Sequence, residues 1–385
     1  MIVDATGPAD VRAAVSTARD LRLPLAVYAT GHGGPMPADD GVVVVTTARM
    51  GGVLIDPDRR VARVGPGARW GDVIAAAAPF GLAPLSGTSP TVGVVGYTLG
   101  GGLGWLSRRY GFAADSVVRA AVVTADGVAR TVSADRDPDL FWALRGGGAN
   151  FGVVTGLEFR LHPVSTVYAG TATFALDRAA DVLACYRDTA AGRPDELTAN
   201  LVLTKDSLAI RGMYAGTADD ARRALAPLWR AAGTPVADGW RTMSYTESGT
   251  IGGTAPHQFN LLADLPDAVL TAAIDAVHGQ ANAVEVRQWG GAMAHQGADA
   301  GPVGHRDVPF SIVVDGPAEA ATSIAAHATG GSFLNFLHDP SRTHTAYTAR
   351  DHARLRELKT AYDPDNLFGL GKNIAPLGSR VTQCC

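Results

Sequence analysis

Gly87-Thr88-Ser89-Pro90-Thr91-Val92-Gly93-Val94-Val95-Gly96-Tyr97-Thr98-Leu99-Gly100-Gly101-Gly102-Leu103-Gly104 is a glycine-dense stretch in a chain of 385 residues that carries 46 glycines. Glycine lets backbone approach a ligand closely and aim amides at anionic oxygens, so a nucleotide site is the first reading. Two standard nucleotide loops fail. Gly369-Leu370-Gly371-Lys372 lacks the earlier glycine of a P-loop and is followed by Asn373 where Ser or Thr is needed. Gly100 to Gly104 lacks the dinucleotide spacing at the head of a βαβ unit, with no acidic residue at a strand end about 20 residues on. No Gly-x-Ser-x-Gly elbow is present, which removes serine hydrolases of the α/β type. Two further glycine clusters, at 31–34 and 146–152, must be read with this one.

Outward from these loops, short elements alternate without a regular period. Pro8 to Leu21 predicts a helix, with Pro8 at its first position and Val11, Ala14, Val15, Ala18 and Leu21 on one face. Strands are expected at Leu25–Tyr28, Val42–Thr46, Val61–Val64, Val117–Thr124 and Phe151–His162, and a helix at Trp70–Ala78. Ala125-Asp126-Gly127 reads as a hairpin turn. Beyond Pro163 a second α+β unit is expected. Its strands are Tyr168–Phe174, Leu201–Val202, Ala209–Tyr214 and Ser311–Val314, and its helices Ala179–Ala190, Asp219–Ala232 and Pro317–His327. A last helix carries Leu355, Leu358 and Tyr362 on one face and stops at Asp363-Pro364.

Composition narrows the function classes. Apolar residues make up 46% and charged residues 18%, which favours a compact fold over disorder. With 33 basic and 37 acidic side chains the formal charge is −4, so the chain has neither a basic field for nucleic acid nor a polybasic stretch for membranes. No apolar run is long enough to span a bilayer, and MIVDATGPAD lacks signal-peptide regions, so a cytoplasmic protein is expected. Only Cys185, Cys384 and Cys385 are present, and the last two are expected to sit in a loose terminus. This excludes a disulfide framework, and with no histidine pair at ligand spacing no metal is expected.

Five blocks, in order, resemble the flavin-dependent oxidase family of berberine bridge enzyme, within the vanillyl-alcohol oxidase superfamily. They are Ala29-Thr30-Gly31-His32-Gly33, Gly87 to Gly93, Gly96 to Gly102, Leu140 to Thr155 and Tyr362-Asp363-Pro364-Asp365-Asn366-Leu367-Phe368. The resemblance covers nearly the whole chain and is weakest at roughly 165–330. It implies an α+β fold: a two-part FAD-binding domain (1–165), a substrate domain with an antiparallel sheet covered by helices (166–345), and a C-terminal segment returning to the FAD domain (346–385). It also implies a few dozen residues ahead of Val3, so either that part is missing or the start lies upstream.

The same resemblance assigns site residues. It implies FAD bound covalently from the 8α methyl to His32, without a second bond from cysteine to flavin C6, because that position is Ser89. Val92 stands where the family tends to separate oxidases from dehydrogenases, and valine favours dioxygen as acceptor. Gly31, Gly33, Gly34, Gly87, Thr88, Gly93, Gly96, Tyr97, Thr98, Leu99, Gly100, Gly101 and Gly102 are expected to line the cofactor. Gly152, Val154 and the late Asn373 are expected to reach it as well.

The carry-over fails at the catalytic base. Several relatives use the second tyrosine of Tyr-x-Asn-Tyr, and here the run is Phe333-Leu334-Asn335-Phe336. Tyr97 and His305 are the candidates put forward, with His295 and Asp307 behind them. The leading expectation is an oxidase that passes hydride from a small, secondary-metabolite-like substrate to FAD and then to dioxygen. A flavoprotein with a structural flavin and a non-redox cyclisation or isomerisation stays open, because both phenols are missing. A binding protein with degenerate chemistry is a third reading, weakened by the intact glycine loops.

Overall fold

The computed structural model describes residues 1–34, 36, 41–295, 297 and 299–378, so Cys384 and Cys385 lie outside the described residues. The chain opens with β1 (Ile2–Asp4), α1 (Pro8–Leu21), β2 (Leu25–Tyr28) and β3 (Val43–Thr46). These strands form a parallel sheet in the order β1-β3-β2. Helix α1 buries Val11, Ala14, Val15 and Ala18 against it and ends on Arg22 in the left-handed region. These boundaries follow from the proline start and the apolar face.

The second part of the same unit runs through β4 (Val53–Asp56), β5 (Val61–Val64), α2 (Trp70–Ala77), α3 (Val94–Leu99), α4 (Ser107–Tyr110), β6 (Val117–Val123), β7 (Ala129–Val132), α5 (Pro138–Leu144) and β8 (Val153–Arg160). Its sheet is antiparallel in the order β4-β5-β8-β6-β7. Helix α3 escapes the sequence reading because it is six residues long with Gly96 at its centre.

An eight-stranded antiparallel sheet follows, drawn from β9 (Thr166–Ala175), β10 (Leu197–Leu203), β11 (Ser207–Tyr214), β12 (Ala237–Asp238), β13 (Arg241–Ser244), β14 (Gln258–Leu262), β15 (Ala283–Gln288) and β16 (Phe310–Asp315). Helices α6 (Ala179–Asp188), α7 (Ala218–Ala232) and α8 (Asp267–His278) cover one face. The protein is therefore α+β. Strand β10 runs well past the expected Leu201–Val202, because Thr198 and Asn200 point to the uncovered face while Leu197, Ala199, Leu201 and Leu203 meet the helices.

The helix expected over Pro317–His327 is a correction. Only a 3-10 turn at Ala318–Ala321 and the four-residue α9 (Thr322–Ala325) form there, since Ala321 and Ile324 alone are buried to hold it. The last helix, α10 (Ala349–Tyr362), returns to the first unit. Lys359, fully buried, donates to Asp363 at 2.6 Å and to the Asn150 carbonyl at 2.8 Å, while Asp363 accepts the amides of Leu367 and Phe368. No described helix is long and apolar enough to cross a membrane.

Candidate active site

The loop after β2 turns at Gly31, whose φ of +83° favours glycine. It presents His32 to the loop that precedes α3. His32 Nε2 and Thr91 Oγ1 share a hydrogen bond of 3.0 Å, and Ser89 Oγ and Thr91 Oγ1 share another of 2.9 Å. The Gly93 amide donates to Thr30 Oγ1 at 3.2 Å, holding the two loops together. His32 and Ser89, far apart in sequence, thus converge on one hydroxyl. Thr91 lies in the Gly87 to Gly93 block, but the sequence reading assigns it no role.

The glycines sort into two groups. Among the described residues, a Cβ at Gly33, Gly34 or Gly96 would meet no atom within 4 Å, and only Gly34, at φ +134°, has a backbone reason to be glycine. Gly96 also carries the helix-interior penalty of about 1 kcal/mol relative to alanine. In contrast, a Cβ at Gly100 would strike Asn335, at Gly101 the Phe333 ring, at Gly102 Tyr97 and Ala113, and at Gly104 the Ser86 carbonyl. Gly152 likewise faces the Val123 carbonyl, and Val154 is buried in β8 opposite Val122. Thr98 and Leu99 are buried, with Thr98 Oγ1 donating to the Val94 carbonyl. Gly87 abuts the Tyr97 ring, 3.0 Å from where its Cβ would stand.

The donors and spaces of the first group fit FAD. Among the described residues the amides of Thr88 and Ser89 have no hydrogen-bond acceptor, and the buried Oδ1 of Asn373 has no partner. Val92 is anchored by its backbone, accepting from Trp70 N at 3.0 Å, and its side chain is partly buried against the core.

The residues nominated for proton transfer are placed differently. Tyr97 stands edge-on to Trp70 at 5.4 Å, and its hydroxyl is buried without a partner among the described residues. Burial, with Tyr245 nearby, pushes its pKa well above 10, so it keeps its proton. His305, at φ +56°, points Nε2 at the Thr345 carbonyl at 2.7 Å, which makes that nitrogen the protonated one. His295 uses Nδ1 on the Gly291 carbonyl, and Asp307 lines a separate cleft of about 410 Å³.

The run 333–336 closes over the second glycine group. Asn335 accepts from Gly102 N at 2.9 Å and donates to the Tyr97 carbonyl at 3.0 Å. Phe333 and Phe336 enter an aromatic cluster with Phe112, Phe259 and Trp289. Lys372 donates to the Leu334 carbonyl at 2.6 Å, and burial pushes its pKa down to about 8.

Facing these loops is the uncovered side of the large sheet, with Asn200 in register with Arg211 on one side and Arg287 on the other. Glu285, 1% exposed, accepts from Asn200 Nδ2 at 2.6 Å and Arg287 Nη2 at 3.1 Å. Burial alone would raise its pKa. The charge and hydrogen bond of Arg287, a hydrogen bond from Thr254 and the charge of Arg211 outweigh that and hold it below the usual value. Sequence could have shown these residues only as polar breaks in apolar strands.

Comparison with known proteins agrees from end to end. The FAD binding domain family matches residues 1–133, and the berberine and berberine-like family matches residues 332–375. (R)-6-Hydroxynicotine oxidase of Paenarthrobacter nicotinovorans is 31% identical over 411 residues, covering 96% of this chain and 90% of that one. The crystal structure of 6-hydroxy-D-nicotine oxidase from Arthrobacter nicotinovorans superposes with a TM-score of 0.84 at 26% identity, over 97% of this chain and 91% of that one. Xylooligosaccharide oxidase from Myceliophthora thermophila shares the fold at a TM-score of 0.85 and 23% identity, over 98% and 92%. With identity, fold and both family regions in agreement, the chain belongs to the FAD-linked, berberine-bridge-enzyme-like oxidases of the vanillyl-alcohol oxidase superfamily and is an FAD-dependent oxidoreductase.

Proposed function

We propose that the protein is an oxidase that holds FAD by one covalent bond from His32 and oxidises a small organic molecule at the expense of dioxygen, releasing hydrogen peroxide. The convergence of His32, Thr91 and Ser89 carries this reading. Bound FAD supplies the two-electron acceptor for the substrate's hydride. His32 holds the cofactor, and Thr91 fixes the plane of its imidazole. Ser89 cannot form a thioether, so one attachment is expected. Gly33, Gly34 and Gly96 would give the cofactor backbone clearance, and Val92, smaller than leucine, would leave dioxygen access to it. The hydroxynicotine and xylooligosaccharide oxidases among its relatives support a small organic substrate.

Phe333 and Phe336 offer no proton acceptor, and Tyr97 keeps its own proton, which favours a substrate that needs no protein base. The same observation sustains a second reading, a structural flavin with no net oxidation. Acid precipitation tests the attachment: the yellow colour should stay with the pellet, and His32→Ala should release all of it to the supernatant. Colour that leaves the wild-type pellet defeats the assignment. Anaerobic mixing with substrate then separates the two chemistries, since only an oxidised substrate bleaches the flavin.

A further inference from the structure

The uncovered face of the large sheet carries more buried positive charge than it uses. Arg211 and Arg287 flank Asn200 on adjacent strands, and Glu285 is the carboxylate that Asn200 and Arg287 grip. Two guanidinium groups against one carboxylate leave a positive charge over. The surplus donors are identifiable: Arg211 Nε and Nη1, Arg287 Nε and the Thr198 hydroxyl are buried with no partner among the described residues. An unpaired buried donor costs the full desolvation of that group, and a charged one costs more. Arg145 and Arg306 each leave only Nε without a partner among the described residues, whereas Arg211 leaves both Nε and Nη1. Arg108, also buried, is satisfied by the carbonyls of Leu197, Trp289 and Arg193.

The location gives the surplus a use. Thr198, Asn200 and Arg287 line one cavity together with Thr88, Leu103 and Gly104 of the glycine loops, and Arg211 lies outside that lining, in register with Asn200 on the neighbouring strand. The Arg287 guanidinium also lies 5.4 Å from the centre of the Phe336 ring. A cation thus stands over an apolar ring at this edge of the cavity.

We propose that the substrate is a small carboxylic acid, bound as its anion by Arg211, Arg287 and the Thr198 hydroxyl, with Glu285 and Asn200 holding Arg287 in place. Guanidinium donors in a planar fork match a carboxylate, and the substrate's charge neutralises the cluster. The bond to be oxidised then lies on the loop side of the anchored carboxylate. This identification of the substrate class rests on the flavin-enzyme reading above.

The test measures binding to the purified holoenzyme by calorimetry, using benzoate and its neutral counterpart benzamide as probes. Benzoate should bind at least roughly tenfold tighter than benzamide. Arg211→Gln, which leaves the Glu285, Asn200 and Arg287 contacts intact, should abolish that preference while the flavin spectrum and content stay unchanged. Glu285→Gln adds a net positive charge and should tighten benzoate but not benzamide. Equal binding of the two probes, binding of neither, or a preference that survives Arg211→Gln overturns the proposal. A benzoate preference in protein that loses its flavin to acid would instead defeat the covalent-flavin reading and leave the carboxylate site standing. Loss of flavin in Arg211→Gln would show that the cluster serves the cofactor and overturn the substrate assignment.

Discussion

Gly96 and Gly104 lie eight positions apart in the same glycine-dense stretch, yet they are glycine for opposite reasons. Around Gly104 the protein fills the space itself, with the Ser86 carbonyl where a Cβ would go, and Gly100, Gly101 and Gly102 are filled in the same way by Asn335, Phe333 and Tyr97. Around Gly96, Gly33 and Gly34 no atom of the described residues comes close. Composition marks both groups identically, and only the neighbours tell a packing glycine from a ligand-facing one. The filled group should therefore answer to stability measurements and the open group to cofactor measurements.

The largest effect is expected at Gly104→Ala. Its methyl would overlap a backbone oxygen that cannot move alone, an overpacking cost of ~3 kcal/mol or more. Chemical denaturation, or a failure to obtain soluble protein, reads it, and a variant as stable as the parent would end the division into two groups.

A loss of similar size should come from acid acting on His162, paired with Ala83 in an isolated β-bridge. His162 stacks on Tyr110 at 4.0 Å with Nε2 buried and unpartnered among the described residues, and burial lowers its pKa to about 4. The unfolded chain takes up that proton near pH 6.5 and the folded one does not. This stability is full above pH 6.5 and is lost as pH falls toward 4, by roughly 3 kcal/mol. His162→Phe should flatten the profile in that window, and an unchanged slope would exclude His162 as its source.

In the open region, Val92→Leu should leave unfolding unchanged and slow reoxidation of the reduced flavin by dioxygen about tenfold, near 1.4 kcal/mol of barrier. Stopped-flow mixing with oxygenated buffer decides it, and artificial acceptors should remain usable. The smallest effect is at Gly96→Ala. Better helix propensity should stabilise the flavin-free protein by about 0.5–1 kcal/mol while lowering flavin incorporation. Full flavin content in that variant would mean that Gly96 does not face the cofactor.

Much of this was legible in the sequence where chemistry is local. The start of α1 follows from Pro8, and its buried face from Val11, Ala14, Val15 and Ala18, although Leu21, expected on the same face, is exposed. Roles for His32 and Ser89 come only from the family resemblance. Where roles depend on partners from distant strands, the sequence carries no sign of them. Arg211 and Arg287 gain their meaning from register with Asn200, and Lys359 from a carbonyl 209 residues away. The eight-stranded sheet was only partly visible for the same reason, since polar residues on its site face broke the apolar runs that mark strands.

The Lys359 and Asp363 pair has a consequence for how the chain is made. The Leu25 amide in β2 donates to the Leu367 carbonyl, and Asn150 receives Ile374 N on its side chain and Lys359 Nζ on its carbonyl. The first unit is thus discontinuous, finished by residues that leave the ribosome after the whole of the large sheet. While the large sheet can close as soon as β16 emerges, the earlier unit must wait, its partly open core exposed to aggregation. A nascent chain halted before residue 359 should therefore present a protease-resistant second unit behind a first one that is still cleavable, an inversion of the usual order in which domains mature.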